Sequence, residues 1–435
     1  MKDVSIKIHR LGMIGESDEV LLNRLMLFSG ESGLGKSYLS IICNYVFRVL
    51  LDKRRISSYF DSLGLDFNRL RPGYHGHGVA LRLEKSAFEK WLSSDAIIWL
   101  AYMVGNKGLK GDIEISLPSS IPSTLEMFYD EEMAGLGNNV DTYVRLTLPG
   151  LTYSIKDSEG ITDESPYAFL FRFYLIQEIF GHFQAIQNCF VFPPSRGTVL
   201  TESVSPATGM YIEFQDTLRI INAAKPDKVE VPSQLLSLLR RVMDGQVSRR
   251  DGNYVYSTNG AEMPLSAAAA SIRELASIEL LVENTDISKV CVMLDEPEAH
   301  LHPLKQRMMA DVVSCLLKGG AHIQITTHSD YFLRRLNELV LKQRLYDRSR
   351  GVAEGKEYYD MCNELRIDPS LRLDMSMVSA YLLERCKEHP EQSVVVRQDL
   401  SSSISYASFH DALDESLRMK YELEKRLSNG SNEDY

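Results

Sequence analysis

No apolar run in this sequence approaches the roughly 20 residues that a bilayer-spanning helix needs, so no membrane-spanning segment is expected. Nor is there a CxxC pair or a zinc-ligand spacing. The six cysteines, Cys43, Cys189, Cys291, Cys315, Cys362 and Cys386, are scattered, which argues against a disulfide framework and fits reduced thiols in a cytoplasmic protein. Positive charge is in deficit: 48 Lys and Arg stand against 59 Asp and Glu, for a formal net charge of −11. Such a chain is a poor non-specific binder of nucleic acid, because phosphate contacts need clustered Lys and Arg; a local basic patch stays open. Met1-Lys2-Asp3 leads into a strand pattern and not a signal peptide. There is no short repeat and no sustained heptad pattern, and the polar stretch Ser428 to Tyr435 reads as a frayed tail. What remains is the composition of a globular protein, long enough for about two or three domains and a sizeable core.

Apolar periodicity lays out an alternation of strands and helices. Val4 to Ile8 alternates as a strand, and Leu21 to Phe28 is an apolar stretch running into a glycine-rich loop. Beyond Ser37, Leu39, Ile42, Tyr45, Val46, Val49 and Leu50 recur at helical spacing. From about Gly73 to Ser158 the pattern is mixed, with strands at Val79 to Leu83 and Asp112 to Leu117, a helix over Ser86 to Met103, and a hairpin over Tyr143 to Ile155 turning at Pro149-Gly150. Pro166 to Asn188 is an aromatic-rich helix, and Cys189 to Phe192 is a strand ending at Pro193-Pro194. Helices follow over Gln215 to Ala224 and Pro232 to Met243, then a strand over Tyr254 to Ser257 entering the turn Asn259-Gly260. Leu275 to Val282 is helix. Val290 to Leu294 is a continuous apolar strand of the kind buried on both faces of a parallel sheet. Leu304 to Leu317 is helix, His322 to Thr327 strand, and the next helix runs through Leu341. This alternation predicts an α/β architecture.

Three motifs fall at the ends of predicted strands. Gly30, Glu31, Ser32, Gly33, Leu34, Gly35, Lys36 and Ser37 lie between a strand and a helix, the context a phosphate-binding P-loop requires. Glycines let successive backbone N–H groups surround phosphates at a helix start. Lys36 is placed to reach the β- and γ-phosphates and Ser37 to ligate Mg2+. The bland alternative is a glycine turn ahead of a core helix. The second motif is Val290 to Leu294 leading into Asp295-Glu296-Pro297-Glu298-Ala299-His300-Leu301-His302-Pro303. An apolar strand ending in two carboxylates is a Walker B element, with Asp295 holding Mg2+ through its shell and Glu296 polarising the attacking water; the alternative is a solvated acidic turn. The third is Thr326-Thr327-His328-Ser329. A histidine there can donate to the γ-phosphate from the carboxyl edge of the sheet, where ligands of open α/β sheets bind. A lone histidine at a strand end is more often structural, but its order after the other two motifs favours function. Together they predict binding and hydrolysis of ATP with Mg2+, with Glu296 and His328 as catalytic residues.

These motifs resemble the ABC-class ATPase heads and, more closely, the ATPases of the OLD (overcoming lysogenization defect) family. The phrase from Leu294 to Pro303 and Thr327-His328-Ser329 carry the resemblance; Phe192-Pro193-Pro194-Ser195-Arg196 and Leu265 to Leu275 are weaker matches. It covers the first forty residues and the stretch from about Cys189 to Leu341. The resemblance implies an ABC-type head: a parallel or mixed P-loop sheet flanked by helices, with inserted β and helical elements and a helical C-terminal segment. It divides the chain into an N-terminal ATPase lobe over 1–200 with a mixed insertion at about 73–188, a helical and strand segment over 201–260, a second ATPase lobe over 261–345, and a partly helical extension over 346–435. One departure stands out. The family signature has paired serines and a glycine opening a helix, whereas Ala267-Ala268-Ala269-Ala270-Ser271 occupies that place here. Alanine supplies no hydroxyl donor, although backbone N–H groups at a helix start still can, and Ser271 stands where glycine is expected. Slow or gated hydrolysis is therefore expected.

The resemblance also implies partners. ABC heads form a homodimer through their ATP sites, and a higher homo-oligomer is open. The metal-binding Toprim domain that follows the ATPase in OLD nucleases has no counterpart in the stretch after His328, where a charged helix over Ser405 to Leu427 is expected. The layout looks like that of the ATPase subunits of the PARIS and Septu anti-phage systems, with a Toprim- or HNH-type nuclease as a separate effector. The alternatives are a DNA repair or recombination ATPase acting directly on DNA, and a nucleotide-dependent scaffold with little hydrolysis. His300 and His302 do not have a usual metal spacing. Lys53-Arg54-Arg55, Arg240-Arg241 and Arg249-Arg250 read as solvated helix ends in preference to DNA contacts. Arg196 is open between a contact to nucleotide or a second subunit and a structural salt bridge.

Overall fold

The computed structural model describes residues 3–64, 79–136, 139–156, 166–202, 205–223, 233–350, 356–401, 403–405 and 407–430. Met1 and Lys2, positions 73–78 and Ser158 of the mixed stretch, Ala224 and Pro232 at two predicted helix ends, and tail residues 431–435 lie outside them.

The strands, in chain order, are β1 (Ser5–Leu11), β2 (Ile14–Ser17), β3 (Val20–Leu21), β4 (Leu25–Gly30), β5 (Val79–Glu84), β6 (Gly111–Ser116), β7 (Thr124–Leu136), β8 (Asn139–Leu148), β9 (Leu151–Lys156), β10 (Asn188–Phe192), β11 (Gln246–Arg250), β12 (Asn253–Thr258), β13 (Ala261–Pro264), β14 (Val290–Asp295), β15 (His322–Thr327), β16 (Val378–Arg385) and β17 (Ser393–Arg397). The main sheet runs β10-β14-β15-β4-β16-β17-β2-β1-β3, with β6 also paired to β1. From β10 to β16 the neighbours are parallel, whereas β16–β17 and the pairs made by β1 are antiparallel. The sheet is therefore mixed, and the architecture is α/β as expected. Two smaller antiparallel sheets, β11-β12-β13 and β5-β7-β8-β9, stand beside it.

Burial explains why β4 and β14 lack alternation in the sequence. Every residue of both strands is buried. Met26 and Phe28 face one apolar cluster while Leu25 and Leu27 face the other; Cys291 and Met293 oppose Val290, Val292 and Leu294 in the same way. Successive side chains of a strand point to opposite faces, so a strand covered on both sides is apolar throughout. One face is covered by α1 (Lys36–Leu51) with the helices Lys85–Val104 and Pro166–Phe180, the other by Ala270–Asn284, Pro303–Lys318 and Asp330–Arg350. At about 1.5–3 kcal/mol per fully buried apolar side chain, this double cover holds the strand ends that carry the three motifs on a rigid platform.

Several boundaries differ from the periodicity. Leu21 to Phe28 is not one strand: β3 ends at Leu21 and β4 begins at Leu25. The aromatic helix stops at Phe180, where Gly181 takes φ 95°, and Asn188 already belongs to β10. The helix after His328 continues to Arg350, and the C-terminal helix spans Ala407–Gly430, so Ser428 to Gly430 fall within its bounds. The hairpin β8–β9 turns at Pro149-Gly150 as expected, with Leu148 opposite Leu151. Within the mixed stretch, β6 joins the main sheet by pairing with β1. The strands β16 and β17 were not read from the sequence, yet β16 lies directly beside β4.

Candidate functional site

At the carboxyl end of β4 the chain makes the loop Gly30 to Gly35 and enters α1 at Lys36. Gly30, Gly33 and Gly35 have φ of 129°, 80° and 96°, a region that L side chains rarely adopt. Space confirms the requirement at Gly30, where a Cβ would stand 2.3 Å from the Leu383 carbonyl oxygen. The start of α1 has no side-chain cap and no acidic residue in its first turn. Its first N–H groups therefore remain as donors beside the positive end of the helix dipole, a ready anion site.

The structure brings the three motifs together around this loop. β14 and β15 lie on one side of β4, so Asp295, Glu296 and His328 emerge from the same sheet edge as the glycines. The Ser37 hydroxyl donates to the Asp295 carboxylate at 3.1 Å. Lys36 Nζ donates to the carbonyls of Gly30 and Glu31 at 3.0 and 2.6 Å and lies 3.5 Å from His328 Nδ1. His328 Nε2 is 3.1 Å from Glu296 Oε1 and 3.4 Å from Ser32 Oγ. His328 thus touches both the loop and the Walker B carboxylate.

Electrostatics follow burial. Desolvation lowers the Lys36 ammonium to a pKa of about 8, opposed by Glu296, Asp295, Glu298 and Glu31. Burial raises the Asp295 carboxyl above its ordinary value, against the hydrogen bonds from Thr326 and Ser37. Glu296 is instead lowered, chiefly by its hydrogen bond with His328, so it is a carboxylate at neutral pH. Its backbone sits at φ 48°, a left-handed conformation that costs a non-glycine residue on the order of 1–3 kcal/mol and clusters at functional sites. Ser37 and Asp295 present hard oxygen donors to one point. That suits Mg2+, which takes one or two protein oxygens and completes its shell with phosphate and water.

Further residues support the site, and the sequence left their tasks open. Glu298 is buried, and its Oε1 accepts from the His328 backbone N–H at 3.0 Å and from the Thr327 hydroxyl, tying the Walker B turn to the histidine segment. The Thr326 hydroxyl donates to Asp295 and accepts from the Glu296 N–H. Both threonines lie inside the quoted motif, but only the parallel pairing Asp295↔Thr326 sets them against the carboxylates. Arg196 is fully buried and donates to the carbonyls of Glu274 at 2.8 Å, Pro193 at 3.2 Å and Asp295 at 3.3 Å. Of the readings left open for it, this is a structural one: the guanidinium ties the Walker B strand end to the helix Ala270–Asn284. The alanine run spans the end of a 3-10 turn and the start of that helix; Ala269 is its N-cap and makes no side-chain hydrogen bond.

His302 caps the helix Pro303–Lys318, its ring Nδ1 accepting from the Leu304 N–H at 3.4 Å. His300 lies in the preceding turn with φ 63°. In the basic clusters, Arg55 pairs with Asp95, Arg240 with Glu279 and Glu283, and Arg250 with Glu262. Arg249-Arg250 lies on β11 and not at a helix end.

Fold and site define an α/β protein with a P-loop at the carboxyl edge of a mixed sheet. Residues 204–333, which include the Asp295 and His328 segments but not the glycine loop, match the family described as AAA ATPase domain. No curated protein matches the chain. Among solved structures, the SmcHead bound to the C-winged helix domain of ScpA is similar at 11% identity and TM-score 0.38, over 92% of this chain and 98% of that one. The SMC head domain from Thermotoga maritima is similar at 11% identity and TM-score 0.34, over 92% of this chain and 100% of that one. The Smc head domain with an extended coiled coil bound to the C-terminal domain of ScpA, from Pyrococcus furiosus, has 10% identity and TM-score 0.37, over 97% of this chain and 99% of that one. Among the described residues no helix is long and apolar enough to cross a membrane.

Proposed function

We propose that the chain binds ATP with Mg2+ at Gly30 to Ser37 and Asp295, hydrolyses it slowly, and acts as a nucleotide-dependent switch that controls a separate effector protein. The observation that carries the reading is the convergence of Lys36, Ser37, Asp295, Glu296 and His328 on one sheet edge. The loop N–H groups and Lys36 bind the phosphates. Ser37 and Asp295 hold the magnesium ion, which when bound supplies neutralisation of phosphate charge. Glu296, kept ionised and oriented by His328, positions the attacking water. His328 also presents its ring toward the terminal phosphate.

The alanine-rich helix start at Ala267 to Ser271 serves as the face that closes on the nucleotide of a second copy, so the working unit is a homodimer or a higher homo-oligomer built on it. With backbone donors only, closure is weak and hydrolysis waits for a partner. The resemblance to the PARIS and Septu ATPase subunits supports a Toprim- or HNH-type nuclease as that partner, in anti-phage defence. ATP binding shifts the population of assemblies, and a trigger shifts it again. A repair ATPase acting directly on DNA is less well supported, since each of the three basic clusters has an arginine paired with an acidic residue of the chain itself.

The test is Lys36→Ala. It abolishes ATP binding, removes the ATP-dependent increase in solution mass, and disconnects a co-expressed effector from control. Effector control that survives in a variant shown not to bind ATP refutes the switch. Steady-state turnover of the isolated chain near the roughly 10 s⁻¹ typical of enzymes refutes gated hydrolysis.

A further inference from the structure

The phosphate loop has a second basic neighbour, supplied by a strand the motifs do not include. β16 runs parallel to β4 with Leu383 opposite Gly30. Arg385 therefore stands two residues beyond that pairing, at the same sheet edge as the loop. Its Nε lies 3.3 Å from Glu31 Oε2, and its Nη1 donates to the Pro390 carbonyl at 3.4 Å. The approach is enforced by the backbone, because Gly30 leaves no room for a Cβ against the Leu383 carbonyl. Arg385 is on the opposite flank of β4 from β15, so it lies away from Asp295, Glu296 and His328.

Charge gives this position a use. Four carboxylates, those of Glu296, Asp295, Glu298 and Glu31, act on Lys36, and a polyphosphate adds more negative charge to the same place. An arginine fork binds phosphate oxygens bidentately. A guanidinium has five N–H donors, of which the two contacts above engage two. Arg385 and Glu31 are both more than half exposed, at 56% and 62%, and such surface pairs hold weakly, so the side chain is free to exchange one anion for another.

We infer that Arg385 is a nucleotide-binding residue that contacts the nucleoside-proximal phosphates, leaving Glu31 when the nucleotide enters. This rests on the reading of Gly30 to Ser37 as the nucleotide site. Lys36 and the Walker B carboxylates serve the terminal phosphate from one flank, and Arg385 serves the α,β end from the other.

Calorimetric titration of the full chain with ATP and with ADP tests it, on wild type, R385Q, R385K and E31Q. The expected result is that R385Q weakens ATP and ADP by a similar factor, roughly tenfold, and that R385K recovers part of the loss. E31Q, which removes the competing carboxylate, binds both nucleotides more tightly than wild type, and an E31Q that gains nothing overturns the displacement of Glu31. A merely structural ion pair gives a different pattern, in which R385Q and E31Q weaken binding alike, and that result overturns the inference. Unchanged affinity of R385Q beside a wild type that binds overturns it alone. A wild type that binds neither nucleotide overturns it together with the nucleotide reading beneath it.

Discussion

The Ser37 hydroxyl donates to the Asp295 carboxylate at 3.1 Å, although the two residues are 258 positions apart in the chain. Their meeting follows from the sheet order: β14 and β4 are both neighbours of β15, and all three end at the same edge. A side chain at the start of α1 is thereby set against the end of the Walker B strand.

Asp295→Asn keeps the shape of that contact and removes its charge. The expected outcome is an affinity for ATP that no longer gains from Mg2+, lower by about tenfold or more, or ~1.4 kcal/mol, when magnesium is present. Titrations in EDTA leave wild type and variant alike. An unchanged magnesium effect in the variant counts against Asp295 as a ligand.

Glu296→Gln separates binding from chemistry. Loss of a water-positioning carboxylate is expected to lower single-turnover hydrolysis by roughly 10²–10⁴-fold while leaving ATP affinity near wild type. His328→Ala lowers the same rate, because Glu296 then loses its 3.1 Å partner. Phosphate release by E296Q at the wild-type rate removes Glu296 from the mechanism.

Lys36 makes ATP affinity depend on pH in a stated direction. Burial lowers its ammonium to a pKa of about 8. Below that pH it is charged and ready to meet phosphate. Above it the free site is neutral, and binding must take up a proton. Affinity is therefore expected to change little between pH 7 and 7.5 and to fall as pH rises past 8, by at most about tenfold per unit. A flat profile from pH 7.5 to 9.5 contradicts the depressed Lys36.

Arg196→Met removes a fully buried guanidinium that serves three carbonyls and lies 3.8 Å from Glu274. Breaking a buried charge pair costs about 3–5 kcal/mol, read as a lower midpoint in urea. A shift worth less than about 1 kcal/mol, in the range of a surface substitution, shows that the clamp is dispensable.

The candidate site was legible in the sequence because its chemistry is local. A P-loop needs glycines at fixed intervals, and Gly30, Gly33 and Gly35 show why, each with a backbone that other residues resist. Asp295, Glu296 and His328 were legible as polar residues ending apolar strands. Glu298 was quoted within its motif but its task was not, since a buried carboxylate is recognised by the N–H it accepts and not by its position in the chain. Arg196 was undecided for the same reason: burial, not sequence, separates a structural guanidinium from a ligand-binding one.

By itself the sequence determined the core strands β4, β10, β14 and β15 and the residue types at the loop. Both rest on short-range rules, the alternation of side chains and the φ angles open to glycine. Only the tertiary structure decided what stands on the other flank of the loop. β16 has no motif, and its buried run Val378 to Leu383 is an apolar segment like many others. Its place beside β4 comes from hydrogen bonds between residues more than 350 positions apart, and that pairing is what brings Arg385 to the phosphate loop.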